Sequence, residues 1–446
     1  MNETQTEIET ELEEGERHAR RRPGIVGVFA EAGEPLAVTV VTRPLVLGRA
    51  GGGADVEVDD GKVSRRHLEL GPAVGGLRVR DLGSRNGSEL GPGALSDIPE
   101  HAPWGSLIRI GRQVLLVTDD VEVHAHRHLP VASRMKGGPS LAGTRKAIRQ
   151  LAPTEMTVLV VGESGTGKEL VAETLHEVSG RAGPLVRVNA AAIPAELVES
   201  ELFGHLRGAF SGSDQARKGL FREADGGTLV LDEIGELQPG IQAKLLRVLE
   251  DKRVRPVGAD RDLEVDVRVV GSTNRDLELA ARDGRFRLDL YHRLAQAVVT
   301  LPPLRDRLDD VPALAAGFAV AEGVNLSARA ALRLALHDWP GNVRQLRHTV
   351  TRAAMVALAE GRDRIDVPDV PALSTRLPGK ADGGAAEIAA ARDDDVALRS
   401  RITTALEMCD GNVSRVSREL GIARSQLYVL LQRLAIDPTQ FRSEAG

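Results

Sequence analysis

Residues 157–178, TVLVVGESGTGKELVAETLHEV, restrict what this chain can become more than any other stretch. The apolar run Thr157 to Val161 reads as a buried strand. It gives way to Gly162-Glu163-Ser164-Gly165-Thr166-Gly167-Lys168-Glu169, after which Leu170, Val171, Leu175 and Val178 recur at helical spacing. Strand, glycine-rich turn and helix is the context in which successive backbone N–H groups turn inward onto phosphate oxygens. Lys168 would reach the β and γ phosphates, and the helix N-terminus adds partial positive charge. The spacing predicts a nucleotide-binding α/β domain. One position departs from the general pattern. Glu169 stands where a Ser or Thr hydroxyl would help hold magnesium.

The following segments supply the remaining parts of such a site. Pro184 to Asn189 reads as a second strand. Gly226-Gly227-Thr228-Leu229-Val230-Leu231-Asp232-Glu233 reads as a third, ending in two carboxylates. At such a strand end in nucleotide hydrolases the first acid organises magnesium and the second polarises the attacking water. Val267 to Val270 leads into Gly271-Ser272-Thr273-Asn274, which places the Asn274 amide where a γ-phosphate should lie. Arg287 and Arg293, in FRLDLYHR, and Arg344, after Trp339-Pro340-Gly341-Asn342-Val343, complete the site on paper. Taken singly, each of these arginines reads as an ordinary surface residue.

Bulk properties bound the rest. A chain of 446 residues has room for about two to four domains. With 58 Lys and Arg against 64 Asp and Glu it is mildly acidic, so any DNA contact must be local. The single cysteine, Cys409, excludes a disulfide framework or a cysteine zinc site and suits a reducing cytosol. No apolar run approaches the length of a membrane helix, and the N-terminus is acidic where a signal peptide would be basic. The expectation is a soluble cytoplasmic protein with no membrane partner.

Residues 1–23, Glu-rich and then carrying Arg20, Arg21 and Arg22, read as a disordered tail. Over 24–120, short runs such as Ala37–Val41, Leu68–Leu70 and Val114–Val117 alternate with glycine turns, which predicts an all-β sandwich. Its loops carry Gly48-Arg49, Ser64-Arg65-Arg66-His67 and Ser84-Arg85-Asn86-Gly87. A guanidinium and a hydroxyl suit a phosphate, and an amide can fix a peptide main chain. His124, His126 and His128 read as linker. In Gly208-Ala209-Phe210-Ser211-Gly212-Ser213 a scarce aromatic sits in a glycine-flanked loop, a poor place to build a core. Residues 371–395 are Pro-, Gly-, Ala- and Asp-rich and read as a second linker. Over 396–446 three short helices separated by Gly411-Asn412 and Gly421 predict a helix-turn-helix. There Arg415, Arg418, Arg424 and Arg433 outnumber Glu419, a local basic surface on an acidic protein.

On GESGTGKE, ELFGHLRGAFSGS, GGTLVLDEI, GSTNRD, FRLDLYHRL, LPPLRDR and WPGNVRQL, residues 133–370 resemble the AAA+ domain of sigma-54-dependent bacterial enhancer-binding activators. Glu169 is what that family shows after the lysine. The resemblance implies a P-loop ATPase with a helical lid, ATP and Mg2+ as cofactors, and Asp232 on the metal. It makes Asn274 a first sensor and Arg344 a second sensor from the lid. Arg287 and Arg293 become arginine fingers reaching a neighbouring subunit's nucleotide, so a homo-oligomeric ring, a hexamer, is implied. Asn189 would hold Glu233 away from water until the ring is engaged. The Gly208–Ser213 loop would grip sigma-54. Against the usual GAFTGA, Ser211 keeps the hydroxyl and Ser213 replaces an alanine.

Residues 24–120 resemble a forkhead-associated (FHA) domain. That implies phosphothreonine recognition by Arg49, Ser64 and Arg65, with Asn86 on the ligand backbone and His67 bracing the loop. Residues 396–446 resemble a Fis-type DNA-binding domain, with Arg415, Arg424, Ser425 and Gln426 against double-stranded DNA. The whole implies a multidomain, ATP-hydrolysing activator of sigma-54 RNA polymerase that answers to a phosphothreonine-containing protein or kinase. The alternative is a DNA-bound phosphopeptide scaffold whose GAFSGS loop no longer works sigma-54.

Overall fold

The computed structural model describes residues 21–32, 34–125, 138–209, 215–371 and 403. The acidic tail up to Arg20, His126 and His128, Phe210-Ser211-Gly212-Ser213, residues 372–395, Cys409 and the residues Arg415, Arg424, Ser425 and Gln426 lie outside the described residues.

The first region is a two-sheet sandwich built from β1 (Gly24–Ala30), β2 (Thr39–Val40), β3 (Leu45–Arg49), β4 (Val56–Val58), β5 (Leu68–Ala73), β6 (Gly76–Asp81), β7 (Ser88–Leu90), β8 (Gly93–Ala94), β9 (Glu100–Pro103), β10 (Leu107–Ile110) and β11 (Gln113–Thr118). One sheet runs β2-β1-β11-β10-β7-β8 and the other β4-β3-β5-β6-β9. Side chains alternate across a strand, so Leu115 and Val117 fill the core between the sheets while Val114 and Leu116 point the other way. These outward residues are buried too. The Ala37–Val41 run forms strand only at Thr39–Val40, because β2 is an edge that pairs with β1 at two positions alone.

The second region is a parallel sheet of β12 (Val158–Val161), β13 (Leu185–Asn189), β14 (Thr228–Asp232), β17 (Arg268–Thr273) and β18 (Ala297–Thr300), in the order β13-β14-β17-β12-β18. The intervening β15 (Arg253–Val254) and β16 (Leu263–Glu264) form a separate antiparallel pair. Parallel strands need both faces covered. Helices α1 (Ala142–Leu151) and α2 (Lys168–Ser179) contribute Ile148, Val171 and Leu175 to a core with Val158, Val230 and Val270. The helices α3 (Val198–Phe203), α4 (Leu220–Glu223), α5 (Pro239–Asp251), α6 (Leu277–Arg282) and α7 (Leu288–Leu294) build a second core, with Leu202, Phe221, Leu245 and Leu290 against Leu229 and Leu231. Buried Arg268 donates to the carbonyls of Leu151 and Ala152 (2.8 Å each), tying the end of α1 to the central sheet.

A helical lid follows: α8 (Asp310–Ala321), α9 (Ala328–Ala335) and α10 (Asn342–Ala359), with a short parallel pair, β19 (Asn325–Leu326) and β20 (Arg364–Ile365). Ser327 caps α9 by accepting from Ala330 N–H, and Ala330, Ala331 and Leu334 form its buried stripe. The lid core is not closed by the lid alone. Val28, Phe29, Leu107, Val114 and Leu116 of the sandwich belong to the same cluster as Val311, Ala315 and Ala331. No helix among the described residues is long and apolar enough to cross a membrane.

Candidate functional site

The carboxyl ends of β12, β14 and β17 converge on one edge of the parallel sheet, where ligands of open α/β sheets bind. From β12 the chain enters the glycine-rich turn. Gly165 and Gly167 adopt φ of +78° and +103°, which a side chain would oppose. Lys168 begins α2 and is 6% exposed. Its Nζ donates to the carbonyl oxygens of Gly162 (2.9 Å) and Glu163 (3.2 Å). Burial pushes its pKa below the ordinary lysine range, and Glu233 and Asp232 work against that shift. An ammonium group held between carbonyl oxygens beside a helix N-terminus is a ready partner for phosphate oxygens. Glu169, the next residue, is exposed.

Asp232 and Glu233 follow from β14. Asp232 accepts from the Ser272 hydroxyl on the neighbouring β17. That leaves an oriented carboxylate of the hard-oxygen type that suits magnesium. Among the described residues no cluster of three or more His, Cys, Asp or Glu could hold a metal by itself. A cation here would therefore draw further ligands from phosphate and water. Glu233 sits at φ 51°, ψ 47°, left-handed backbone that a glutamate rarely adopts. Asn274 is exposed just past β17. Asn189 pairs with Asp232 across β13–β14. Its Oδ1 accepts from Ala191 N–H (2.9 Å).

The lid covers the turn. Arg344 on α10 reaches Ser164 Oγ at 3.3 Å, and Val343 N–H donates to Gly165 O at 2.9 Å. Arg305 grips Glu163 with two bonds, 3.0 and 2.6 Å, and these hold the Glu163 carboxyl below its usual range. Fully buried Asn342 donates to both Glu163 Oε2 and Ser164 O (3.0 Å each) while accepting from Leu304 N–H (2.7 Å). Arg307 donates to Thr166 O at 3.2 Å. All lie inside LPPLRDR and WPGNVRQL, so the signal was present as motif but not as geometry. Asn342 adopts φ 51°, as does Trp339 in the lid core, so residues of left-handed backbone stand on each side of the nucleotide cleft.

Arg287 is the N-cap of α7 and Arg293 lies in its last turn. Arg287 pairs with Asp289 (3.0 and 2.6 Å), and Arg293 donates to Leu249 O (2.9 Å). Neither is bonded to the glycine-rich turn among the described residues. The stem of the Gly208–Ser213 loop is pinned by the bridges of His205 with Arg217 and Val257, and Ala209 N–H donates to Leu206 O at 3.2 Å.

The sandwich loops gather a second constellation. His67, with no exposed surface, accepts the Ser64 N–H on Nδ1 (3.0 Å). Burial lowers its pKa and keeps it neutral, with the Nε2 proton facing Asp81 Oδ2 at 3.8 Å. Burial alone would raise Asp81, but bonds from Ser88 and Ser84 hold it low. Ser64 Oγ accepts from Arg85 N–H (3.1 Å), and Asn86 Nδ2 donates to Lys62 O (2.7 Å). Arg49 and Arg65 are exposed beside them. A Cβ on Gly48 would fall 1.9 Å from Arg65 O, so glycine is required for the two loops to close. Arg49, Ser64, Arg65 and Asn86 thus share one end of the sandwich.

Comparisons with known proteins cover each region. Residues 135–300 match the model of the sigma-54 interaction domain, 305–382 the AAA+ ATPase lid domain, 399–434 the Fis family of bacterial regulatory proteins and 45–111 the FHA domain. The transcriptional regulatory protein ZraR of Salmonella typhi is 41% identical over 318 residues, covering 68% of this chain and 70% of that protein. The nitric oxide reductase transcription regulator NorR1 of Cupriavidus necator is 43% identical over 319 residues, 66% of this chain, and the chain spans 62% of its length. The crystal structure of NtrX from Brucella abortus in complex with ADP superposes with a TM-score of 0.50 at 34% identity, covering 68% of this chain and 70% of that one.

Proposed function

The chain belongs to the sigma-54-interacting AAA+ transcription regulators, and from that premise we propose that it is an ATP-driven activator with a phosphothreonine-reading front end. The observation that carries the reading is the cleft itself: a buried Lys168, two carboxylates at the end of β14 and a lid arginine on the same turn. Bound ATP supplies the bond that is cut, and Mg2+ the countercharge for its phosphates.

Lys168 exchanges its two carbonyl partners for β and γ oxygens. Asp232, oriented by Ser272, would hold the metal. Glu233 takes the proton of the attacking water, and the Nδ2 of Asn189 restrains that carboxylate until the ring is engaged. Asn274 and Arg344 sense the terminal phosphate. Arg287 and Arg293, which meet no P-loop group of their own chain among the described residues, act on the nucleotide of the next subunit in a hexamer.

The Gly208–Ser213 segment, through Phe210 and Ser211, carries the work to sigma-54 RNA polymerase. Arg415, Arg424, Ser425 and Gln426 hold the ring on upstream DNA. Arg49, Ser64, Arg65 and Asn86 bind the phosphothreonine peptide. The decisive experiment is transcription from a sigma-54 promoter. Phe210→Ala should hydrolyse ATP and open no promoter, and an unaltered protein that hydrolyses ATP yet opens none would sink the reading.

A further inference from the structure

The sandwich carries two buried faces. One is its own core. The other, on β1, β11 and β10, meets the lid, where Phe29, Val114 and Leu116 join the cluster of α8 and α9. An isolated sandwich has no reason to make Val114 and Leu116 apolar, because alternate residues of an antiparallel strand can face water.

Polar contacts fix the register of this face. Glu31 accepts from the N–H of Ala328, the first residue of α9, at 2.8 Å, and faces Arg364 at 3.5 Å. Glu89 takes a bond from Arg329 of α9 and another from Arg109, both 3.1 Å. Arg109 is buried and also donates to the carbonyl of Gly87 (3.3 Å), the residue after Asn86. On the far side, Trp339 Nε1 donates to Leu334 O at the end of α9 (2.9 Å). Three residues later Asn342 bonds Glu163 of the nucleotide turn. Named bonds therefore lead from α9 towards both sites: through Glu89 and Arg109 to Gly87, beside Asn86, and through Trp339 to the segment whose Asn342, at the start of α10, bonds the turn that carries Lys168.

We infer that the sandwich is a structural part of the ATPase lid, latched by Glu31 and Glu89, so that the phosphopeptide loops and the nucleotide site are energetically coupled through α9. The coupling to phosphopeptide rests on the reader assigned above; the latch does not. Coupling between sites is reciprocal, so either ligand reports it.

Amide hydrogen exchange on the full-length protein tests the latch with ADP alone as probe. ADP should slow exchange in α2 and α9 and also, on the order of fivefold, in β10 and β11. In the double variant Glu31→Lys with Arg329→Glu, neither residue being part of the nucleotide or peptide machinery, the β10–β11 response should vanish while that of α2 remains. A sandwich indifferent to ADP in the unaltered protein, or equally responsive in the variant, overturns the inference.

A degenerate phosphothreonine peptide library then tests the coupling. A selected peptide should change ADP affinity on the order of fivefold in the unaltered protein and leave it unchanged in the variant. A peptide that binds without shifting ADP affinity overturns the coupling. A protein that gives the exchange response but binds no phosphothreonine peptide overturns the reader assignment and leaves the latch standing.

Discussion

The molecule builds two candidate phosphate sites in opposite ways. In the ATPase the cation, Lys168, is buried, its charge set against two carboxylates and its turn covered by the lid. In the sandwich the cation, Arg49, is exposed, and the buried work is done one layer back by His67, which holds the loop of Ser64, and Asp81, which holds Ser84 and Ser88. A covered site can commit a ligand to chemistry because water is controlled. An open site can sample peptides quickly and release them. The difference follows from where desolvation is spent, on the ligand-binding charge or on its support.

The largest effects should come from breaking the covered site. Lys168→Ala should abolish ATP binding in an equilibrium titration. Arg287→Ala or Arg293→Ala should preserve binding and lower turnover about a thousandfold or more, as removal of arginine fingers does. Rings mixed with Lys168→Ala subunits should regain part of that activity, and failure of every mixture while rings still form would end the trans assignment. Glu233→Gln should bind ATP and lose about a hundredfold or more of turnover, the size expected of a general base.

A smaller effect belongs to the cover itself. Arg305→Ala removes a two-bond contact to Glu163 that is partly solvent-screened, so ADP affinity should fall only roughly tenfold, with turnover affected through the misplaced Arg344. Loss below twofold would mean that the lid closes without it.

At the open site, Arg49→Ala should weaken a phosphothreonine peptide roughly tenfold and Ser64→Ala by less, since charge-assisted bonds to phosphate are the stronger kind. Raising salt from about 0.05 to 0.5 M should erode peptide affinity more than the affinity of Lys168 for nucleotide, because exposed charges are screened first. Equal salt slopes would erase the contrast between the two sites.

The smallest effect is a pH dependence. His67 has a folded pKa below its unfolded value of about 6.5, caused chiefly by burial. Its stabilisation is therefore complete above that value and is lost as pH falls through the lower, folded one. The melting temperature should fall as the pH is lowered from 7 to 5. His67→Gln should flatten the slope in that window.

Much of this was legible in the sequence, and the parts that were not share a cause. The glycine-rich turn, Asp232-Glu233 and the sandwich loops are local patterns in which neighbouring residues act together. The Arg305–Glu163 pair and the bonds of Asn342 join segments far apart in the chain, and periodicity carries no information about such partners. The face of Val114 and Leu116 was hidden for a related reason. An apolar run such as Val114–Val117 announces burial on both sides, and the second side is absorbed into the expectation of a sandwich core. Excess apolarity on an antiparallel strand was the available signal for the docked lid.

Glu233 and Asn342 at the nucleotide cleft, and Trp339 in the lid core, hold left-handed backbone, and that has a bearing on how this chain can be improved. Asparagine tolerates such a conformation, whereas glutamate and tryptophan do so at a cost of about 1–3 kcal/mol each. Glycine at position 233 would relieve its share and lose the carboxylate with it. A selection for heat resistance alone would therefore reward an inert protein, and thermal hardiness in this family member is best sought away from the cleft.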